Sequence, residues 1–281
     1  MKTQKQTFTH DRFEVSLRSY GDHPDVFLCV GGVLQTMAVW RELVRRFSPY
    51  FTVVVFDMPG VGRSKILSGS AHVTLEEQIG VVDAIVRQVQ PRGELTLSGS
   101  SWGTAVAMGY AVRYPENVSQ LVLSSFGMKP TAEMTRLVEQ AQALYTARDY
   151  AAGAQIIIRM FGQQIGHTYK RQIEAQFANL SDESASAFYE HCRNILQLRH
   201  LEDWVDLSRL TARTLIVNGA RDRLIDPTDM WRAAERMPDC RCVLVEDVGH
   251  FLHFERPEIL DHYVEFFESA DPVAPPRKQT V

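Results

Sequence analysis

The sequence predicts an α/β protein built on a mostly parallel, doubly wound sheet that carries a helical insertion. Short runs rich in Val, Leu and Phe recur along the chain, and amphipathic helical patterns lie between most of them. Near-continuous apolarity is typical of parallel strands covered on both faces, and strand–helix alternation favours a doubly wound sheet. Over residues 130–205 only helical patterns remain, with breaks predicted at Gly153 and Gly162, until a strand resumes at Arg213.

Six apolar runs predict the buried strands, each of a length typical of a single strand. They are DVFLCV (25–30), FTVVVFD (51–57), ELTLS (94–98), QLVLSSF (120–126), RTLIVNG (213–219) and RCVLVED (241–247). An alternating run, DRFEVSLRSYG (11–21), predicts an antiparallel strand at the sheet edge. Thr74 and Glu77 form a capping box that predicts the start of a helix, and a second predicted helix, GTAVAMGYAVRYP, stops at Pro115.

These patterns also predict how the chain is divided. We expect an α/β core made of residues 1–129 and 206–268, a helical cap insertion over 130–205, and a disordered, proline-rich tail over 269–281. Apolar side chains of the insertion either pack its own core or line a pocket over the carboxyl edge of the sheet, where ligands of α/β proteins bind. Both interpretations stay open for Met134, Leu137, Leu144, Ile156, Ile157, Ile158, Met160, Phe161, Phe177, Leu180 and Phe188.

The composition argues against several classes of function. The chain has 281 residues and a formal net charge of −4, so it lacks the basic surplus that recruits nucleic acid or an anionic membrane. Its first residues contain no apolar run and no stretch is apolar for long enough to span a bilayer, so neither a signal peptide nor a membrane span is expected. Cys29, Cys192, Cys240 and Cys242 are predicted to be structural thiols of a cytoplasmic protein, without a metal site or a cofactor.

The run LTLSGSSWGTAVA, residues 95–107, contains the candidate nucleophile. A strand, a tight turn and a helix form a nucleophile elbow, in which the pattern G-x-S-x-G leaves room for a strained serine. Only Ser101 has a glycine two residues before it and another two residues after it. Ser98 is interpreted as the end of the strand and Ser100 as a residue of the turn, so Ser101 is the predicted nucleophile.

A nucleophilic serine needs a base, and the base needs a carboxylate that fixes its tautomer. After the strand RTLIVNG, Asp222 occupies a loop position that can turn over the sheet edge, whereas Asp226 precedes a proline and is interpreted as a helix cap. After RCVLVED, His250 follows a glycine that permits a tight turn, whereas His253 is expected to pack against the following helix. The order serine, acid, histidine is typical of strand–turn–helix elbows, so the predicted triad is Ser101, Asp222 and His250.

Two backbone N–H groups are expected to form an oxyanion hole. One belongs to Trp102, the residue after the nucleophile, and the other to Val33, in the loop GGVLQT that follows the first buried strand. The run FDMPGVGRS (56–64) lacks the spacing of a phosphate-binding loop and is interpreted as a tight structural turn near the site.

With these motifs in order from residue 29 to 259, the chain resembles the α/β-hydrolase fold superfamily. The segments that carry the resemblance are CVGGVLQTMAVW, FDMPGVGRS, GSSWG, NGARDRLIDP and VGHFLHFERPE. Within the superfamily the chain is similar to the RhlA/PhaG-type 3-hydroxyacyl-ACP acyltransferases and transacylases of bacteria. This similarity extends into the insertion, at AQALYTARDY (141–150) and FYEHCRNILQL (188–198).

The resemblance implies an α/β-hydrolase fold with a helical cap, and a serine enzyme that takes 3-hydroxyacyl groups from acyl carrier protein or CoA. The acceptor would be a hydroxyl, a thiol or water. Arg159, Lys170 and Arg171 are candidates for contact with an acidic carrier protein, although a solvated helix face explains them equally well. The same triad also fits an ordinary carboxylesterase or lipase-like hydrolase. A proline iminopeptidase-like peptidase fits less well, because those enzymes usually carry His-Gly-Gly-Pro in the oxyanion loop, and an intact triad argues against a non-catalytic receptor.

Overall fold

The structure, a computed structural model, describes residues 2–33, 35–161, 165–269 and 279–280. Its strands are β1 Thr3–His10, β2 Phe13–Tyr20, β3 Val26–Val30, β4 Thr52–Phe56, β5 Lys65–Ile66, β6 Leu95–Ser100, β7 Gln120–Ser124, β8 Arg213–Gly219, β9 Cys240–Val245 and β10 Gln279–Thr280. Its α-helices are α1 Arg41–Phe47, α2 Leu75–Val89, α3 Trp102–Arg113, α4 Ala132–Thr146, α5 Tyr150–Phe161, α6 His167–Ala178, α7 Asp182–Gln197, α8 Asp229–Ala234, α9 Leu252–Glu255 and α10 Leu260–Glu268. Short 3₁₀ helices cover Met37–Trp40, Leu201–Asp203, Leu207–Arg209 and Pro257–Ile259.

The described strands form one sheet in the order β1-β2-β4-β3-β6-β7-β8-β9-β10, with β5 paired to β2. From β4 to β10 every neighbouring pair is parallel, whereas β1, β2 and β5 are antiparallel additions at one end. Strands β3, β4, β6 and β7 are almost entirely buried, as continuous apolar runs require. The predicted doubly wound α/β fold is therefore confirmed.

The amino-terminal strands differ from the sequence prediction. Residues 11–21 are predicted at the sheet edge, but β2 lies inside the sheet between β1 and β4. The edge position belongs to β1, which the sequence analysis does not predict, and whose polar sequence TQKQTFTH stays largely exposed. Its stability comes from pairing with β2 along its whole length, a tertiary contact that gives no apolar signal in the sequence.

The helix boundaries follow from local chemistry. The capping box predicted at the start of α2 is present, because the side chains of Thr74 and Glu77 each bond the other residue's backbone N–H. Helix α3 ends before Pro115, as predicted, and all its residues from Trp102 to Ala111 are buried. This buried helix gives the turn that precedes it a rigid support.

Helices α4 to α7 lie between β7 and β8. The predicted break at Gly153 is wrong, because α5 runs through this residue. A Cβ at position 153 would lie 2.8 Å from the ring of Tyr145, so the glycine allows α5 to approach α4 closely. Gly162 and most of the tail predicted to be disordered lie outside the described residues, and the division into core and cap remains a prediction.

Two further observations concern the cysteines and the lengths of the described helices. All four cysteines are buried free thiols, in line with the structural role predicted for them. Within the described ranges, no helix is both long enough and apolar enough to cross a membrane.

Candidate active site

Ser101 lies at the sharp turn between β6 and α3, with a backbone φ of 53°. This conformation is strained for a residue with a side chain, and it is typical of a nucleophile elbow. The flanking glycines are required by space, since a Cβ at Gly99 would lie 2.5 Å from the carbonyl oxygen of Gly103 and a Cβ at Gly103 would strike that of Val30. Strand β6 continues to Ser100, two residues beyond its predicted end.

The structure brings Ser101, His250 and Asp222 together in one hydrogen-bonded chain. The Oγ of Ser101 lies 2.9 Å from Nε2 of His250, and Nδ1 of His250 lies 2.7 Å from Oδ2 of Asp222. Asp222 follows β8 and His250 follows β9, so the carboxyl ends of three parallel strands of the sheet, β6, β8 and β9, supply the three groups. The acid is further fixed by the backbone N–H of Leu224, which donates to Oδ1 at 2.9 Å.

Asp226 and His253, the alternatives to Asp222 and His250 in the sequence, lie in other environments. The carboxylate of Asp226 accepts hydrogen bonds from the backbone N–H and the hydroxyl of Thr228. It thus stabilises the turn before α8, and the N-cap position itself belongs to Thr228, not to Asp226 as predicted. His253 bonds the hydroxyl of Tyr263 on α10 at 2.8 Å, as expected for packing against the following helix, and burial lowers its pKa to about 4.

Glu255 is a residue of the site that the sequence analysis did not predict. Its carboxylate accepts hydrogen bonds from the backbone N–H groups of Gly249 at 2.6 Å and Phe251 at 3.0 Å, the two neighbours of His250. On the other side, the hydroxyl of Ser125 donates to the carbonyl oxygen of His250 at 2.6 Å. Burial raises the pKa of Glu255. A glutamate five residues after the histidine, in VGHFLHFE, is the sequence signal that marks it.

We expect Glu255→Gln to lower kcat roughly tenfold, since a glutamine keeps one acceptor and leaves the other N–H without a partner. KM should stay unchanged because the carboxylate holds the loop of His250 and not the substrate. Steady-state kinetics with the exposed Glu258→Gln as control test this, and an unchanged kcat would contradict it.

The two predicted oxyanion-hole residues, Val33 and Trp102, belong to segments that adjoin Ser101. Trp102 is the first residue of α3, so its N–H has no acceptor within the helix. Val33 follows the two glycines after β3 and lines a cavity together with Ser101. A Cβ at Gly32 would lie only 3.0 Å from Cβ of Ser101, so the loop runs in contact with the candidate nucleophile.

The loop predicted to be a structural turn, FDMPGVGRS, is bonded to the segment that follows the Val33 loop. The buried carboxylate of Asp57 accepts hydrogen bonds from the N–H groups of Met37 at 2.7 Å and Arg63 at 2.8 Å. It therefore links the turn to the segment that follows the Val33 loop. Burial raises the pKa of Asp57, as expected for a carboxylate in this position.

Two cavities meet at Ser101 and His250. The larger one, of about 420 Å³, extends beneath the helices between β7 and β8. Sequence analysis left the role of the apolar residues of the insertion open between core packing and pocket lining. Four of them line this cavity and also pack in or against the hydrophobic core, namely Met134, Ile157, Phe177 and Phe188, whereas Ile156 packs in the core without lining the cavity. The smaller cavity has a volume of about 50 Å³, and its lining includes Leu198, Leu201, Leu224 and Ile225. The side chains of Met160 and Phe161 lie outside the described part of the structure.

The chain belongs to the alpha/beta hydrolase family, whose model for the alpha/beta hydrolase fold matches residues 25–257. It is similar to an (R)-3-hydroxydecanoyl-ACP:CoA transacylase of Ectopseudomonas oleovorans, with 23% identity over 82% of this chain and 78% of that protein. It is also similar to a pimeloyl-[acyl-carrier protein] methyl ester esterase of Aeromonas hydrophila, with 26% identity over 89% of this chain and 99% of the relative.

A solved structure shows the same fold. MGS-M2, an alpha/beta hydrolase enzyme from a Medee basin deep-sea metagenome library, superposes with a TM-score of 0.82 at 17% identity, over 96% of this chain and 99% of that one. Together, the family and the named relatives support hydrolase or acyltransferase activity.

Proposed function

We propose that the protein is a serine acyltransferase or thioesterase that acts on 3-hydroxyacyl thioesters of acyl carrier protein or CoA. The observation that carries this proposal is the hydrogen-bonded chain of Ser101, His250 and Asp222, which opens into an apolar cavity of about 420 Å³. The similarity to a transacylase whose name specifies 3-hydroxydecanoyl, ACP and CoA supports the substrate class. The buried free cysteines support a cytoplasmic location.

In the first half of the proposed reaction, Oγ of Ser101 attacks the thioester carbonyl carbon while Nε2 of His250 takes its proton. Asp222 stabilises the resulting imidazolium through Nδ1. The carbonyl oxygen becomes an oxyanion and is bound by the N–H groups of Val33 and Trp102. The carbon–sulfur bond then breaks, the leaving thiol receives the proton from His250, and an acyl ester remains on Ser101.

In the second half the acceptor, a hydroxyl, a thiol or water, gives its proton to Nε2 of His250 and attacks the acyl ester. A second oxyanion forms at the same two N–H groups and collapses as the bond to Oγ breaks. Ser101 then receives the proton from His250, which restores the starting state. Transfer and hydrolysis differ only in which acceptor reaches the ester.

The large cavity suits the acyl chain. Its deeper wall is formed by apolar side chains of α4, α5 and α7, and each methylene that leaves water for such a site contributes about 0.8 kcal/mol. Polar residues lie toward α1 and α6, where Arg41 lines the cavity with its side chain 84% exposed. Lys170 and Arg171 directly precede the lining residue Gln172. These cations support an acidic or phosphorylated carrier as the donor.

Incubation of the enzyme with 3-hydroxyacyl thioesters of acyl carrier protein and CoA tests the proposal. Mass spectrometry should detect thioesters exchanged between the two carriers, hydroxyacyl esters of an added alcohol, or free 3-hydroxy acids. Products of the first two kinds assign the protein as a transferase, and only free acids assign it as a thioesterase. Cleavage of simple esters without turnover of any thioester would contradict the proposal.

A carboxylesterase is the second candidate, and the small cavity favours it. Its volume of about 50 Å³ beside Ser101 and His250 accommodates a water molecule or a small alcohol. The similarity to a methyl ester esterase points in the same direction. Methyl esters of 3-hydroxy acids, included in the same panel, distinguish the two functions by their kcat/KM relative to the thioesters.

We expect Ala141→Phe to shorten the acyl chain that the enzyme accepts. Ala141 is fully buried in the wall of the large cavity, and a phenyl group there would occupy space otherwise available to methylenes. Since each excluded methylene forfeits about 0.8 kcal/mol, kcat/KM for dodecanoyl relative to butyryl thioesters should fall at least about tenfold.

The matched control for this substitution is Ala143→Phe, which adds the same ring to the exposed face of α4. It should leave the chain-length profile unchanged. An equal loss of activity on both chain lengths in Ala141→Phe would indicate a general packing defect and would contradict the role of the cavity.

A further inference from the structure

We propose that the side-chain amide of Gln35 recognises the hydroxyl group on carbon 3 of the acyl chain and so determines the preference for 3-hydroxyacyl substrates. The inference rests on the proposed function, and it assigns a specificity residue within it. Gln35 lies in the loop between β3 and α1, two residues after Val33. Three observations carry the inference: the orientation of the amide, its position relative to Ser101, and the cavity that it faces.

The orientation of the amide is fixed by the loop itself. The N–H of Gly32 donates to Oε1 of Gln35 at 2.8 Å, and the backbone N–H of Gln35 donates to the carbonyl oxygen of Gly32 at 3.1 Å. An N–H donor can only face the oxygen of the amide, so this bond assigns the oxygen and the nitrogen of the side chain. The NH₂ group remains for other partners, and in the described part of the chain no residue accepts a hydrogen bond from it.

The amide lies beside the candidate nucleophile. A Cβ placed on Gly32 would lie 3.0 Å from Cβ of Ser101 and 3.3 Å from Cδ of Gln35, so both groups are within contact distance of one point. A substrate carbonyl at Ser101 has its oxygen in this same region, at the N–H groups of Val33 and Trp102. Carbon 3 lies only two bonds further along the acyl chain, so its hydroxyl group comes within reach of the amide.

Gln35 also lies on the acyl side of the site. It lines the large cavity together with Ser101 and His250, and it is not among the residues that line the small cavity. Its NH₂ group can therefore donate to the acyl portion of a substrate. An unsubstituted acyl chain offers no acceptor there, so it would leave the donor unpaired in a largely apolar wall.

Other polar side chains that line the large cavity are less suited to bind the 3-hydroxyl group. The Nε2 of His253 is already bonded to Tyr263. Gln172 and Gln176 belong to α6, and not to the loop that runs beside Ser101. Thr36 is the neighbouring alternative, because its side chain also lines the large cavity. A substitution of Thr36 that preserves its shape is therefore the matched control.

The experiment measures kcat/KM for 3-hydroxydecanoyl-CoA and decanoyl-CoA, and the ratio of the two values is the readout. The wild type should prefer the hydroxylated substrate at least about tenfold, as expected for one hydrogen bond that decanoyl-CoA cannot make while its chain excludes water from the donor. Gln35→Met, which has a similar length and no amide, should bring the ratio near one. Because the amide also holds Gly32, both substrates should slow together, but that effect cancels in the ratio. Thr36→Val should keep the wild-type ratio.

A wild-type ratio near one, or a Gln35→Met ratio equal to that of the wild type, would overturn the inference. If Gln35→Met does not fold, Gln35→Asn, which withdraws the amide by one methylene, should show the same loss of preference. The panel is repeated with methyl 3-hydroxydecanoate and methyl decanoate. Turnover of these esters with a Gln35-dependent ratio, but of no thioester, would contradict the proposed thioester donor while supporting the role of Gln35.

Discussion

Replacing Ser101 with alanine should abolish covalent labelling by a fluorophosphonate probe and lower kcat by at least about 1000-fold. The Oγ of Ser101 is the hydroxyl that lies 2.9 Å from Nε2 of His250, so it has a base in position to take its proton. The backbone should tolerate the change, because alanine keeps the Cβ and therefore experiences the same strain at a φ of 53°. The melting temperature should accordingly stay near that of the wild type.

Ser100→Ala is the matched control for this substitution. Ser100 is the last residue of β6 and pairs with Ser124 of β7. The fluorophosphonate probe should therefore label the Ser100→Ala variant to the same extent as the wild type. Mass spectrometry of the labelled protein should locate the phosphonate on the peptide that contains Ser101. A phosphonate on Ser100, or full labelling of Ser101→Ala, would refute the assignment of the nucleophile.

The sheet could be predicted from the sequence because its central strands are buried on both faces. Such strands are short runs rich in Val, Leu and Phe, and the pattern is visible without knowledge of the partner strands. The opposite holds for β1, which is polar and is stabilised through its backbone pairing with β2. Gly153 shows the same limit for helices, since the ring of Tyr145, on another helix, is what requires a glycine there.

The residues of the candidate site likewise fall into those that could be predicted from the sequence and those that could not. Ser101, Asp222 and His250 could be proposed from the sequence because each follows a predicted strand, and the carboxyl ends of parallel strands meet at one edge. Glu255 and Gln35 could not, since their roles depend on which backbone N–H groups their side chains accept from. The position of Glu255, five residues after His250, can be recognised in the sequence, but this spacing does not show which N–H groups the carboxylate binds. Gln35 has no spacing signal of this kind. The residues that support the site are thus set by tertiary contacts.

Asp222 and Asp226 are the two acids that the sequence offers for the triad, and substitution of Asp222 is expected to cause the second large loss of activity. We expect Asp222→Asn to lower kcat by roughly 10³- to 10⁴-fold, because an asparagine would impose the wrong tautomer on His250. The N–H of Leu224 donates to Oδ1 of Asp222, and this bond should keep the amide oxygen of an asparagine in the same place. The amide NH₂ would then face Nδ1 of His250 and donate to it.

With Nδ1 as an acceptor, the neutral imidazole of His250 carries its proton on Nε2 and cannot accept the proton of Ser101. Asp226→Asn is the matched control, because its Oδ1 can still accept from Thr228 and it bonds none of the three groups; its kcat should stay within about twofold of the wild type. Single-turnover kinetics with a chromogenic ester measure both variants. A large loss in Asp226→Asn with little effect of Asp222→Asn would transfer the role of the acid to Asp226, and the bond between Asp222 and His250 would then be structural only.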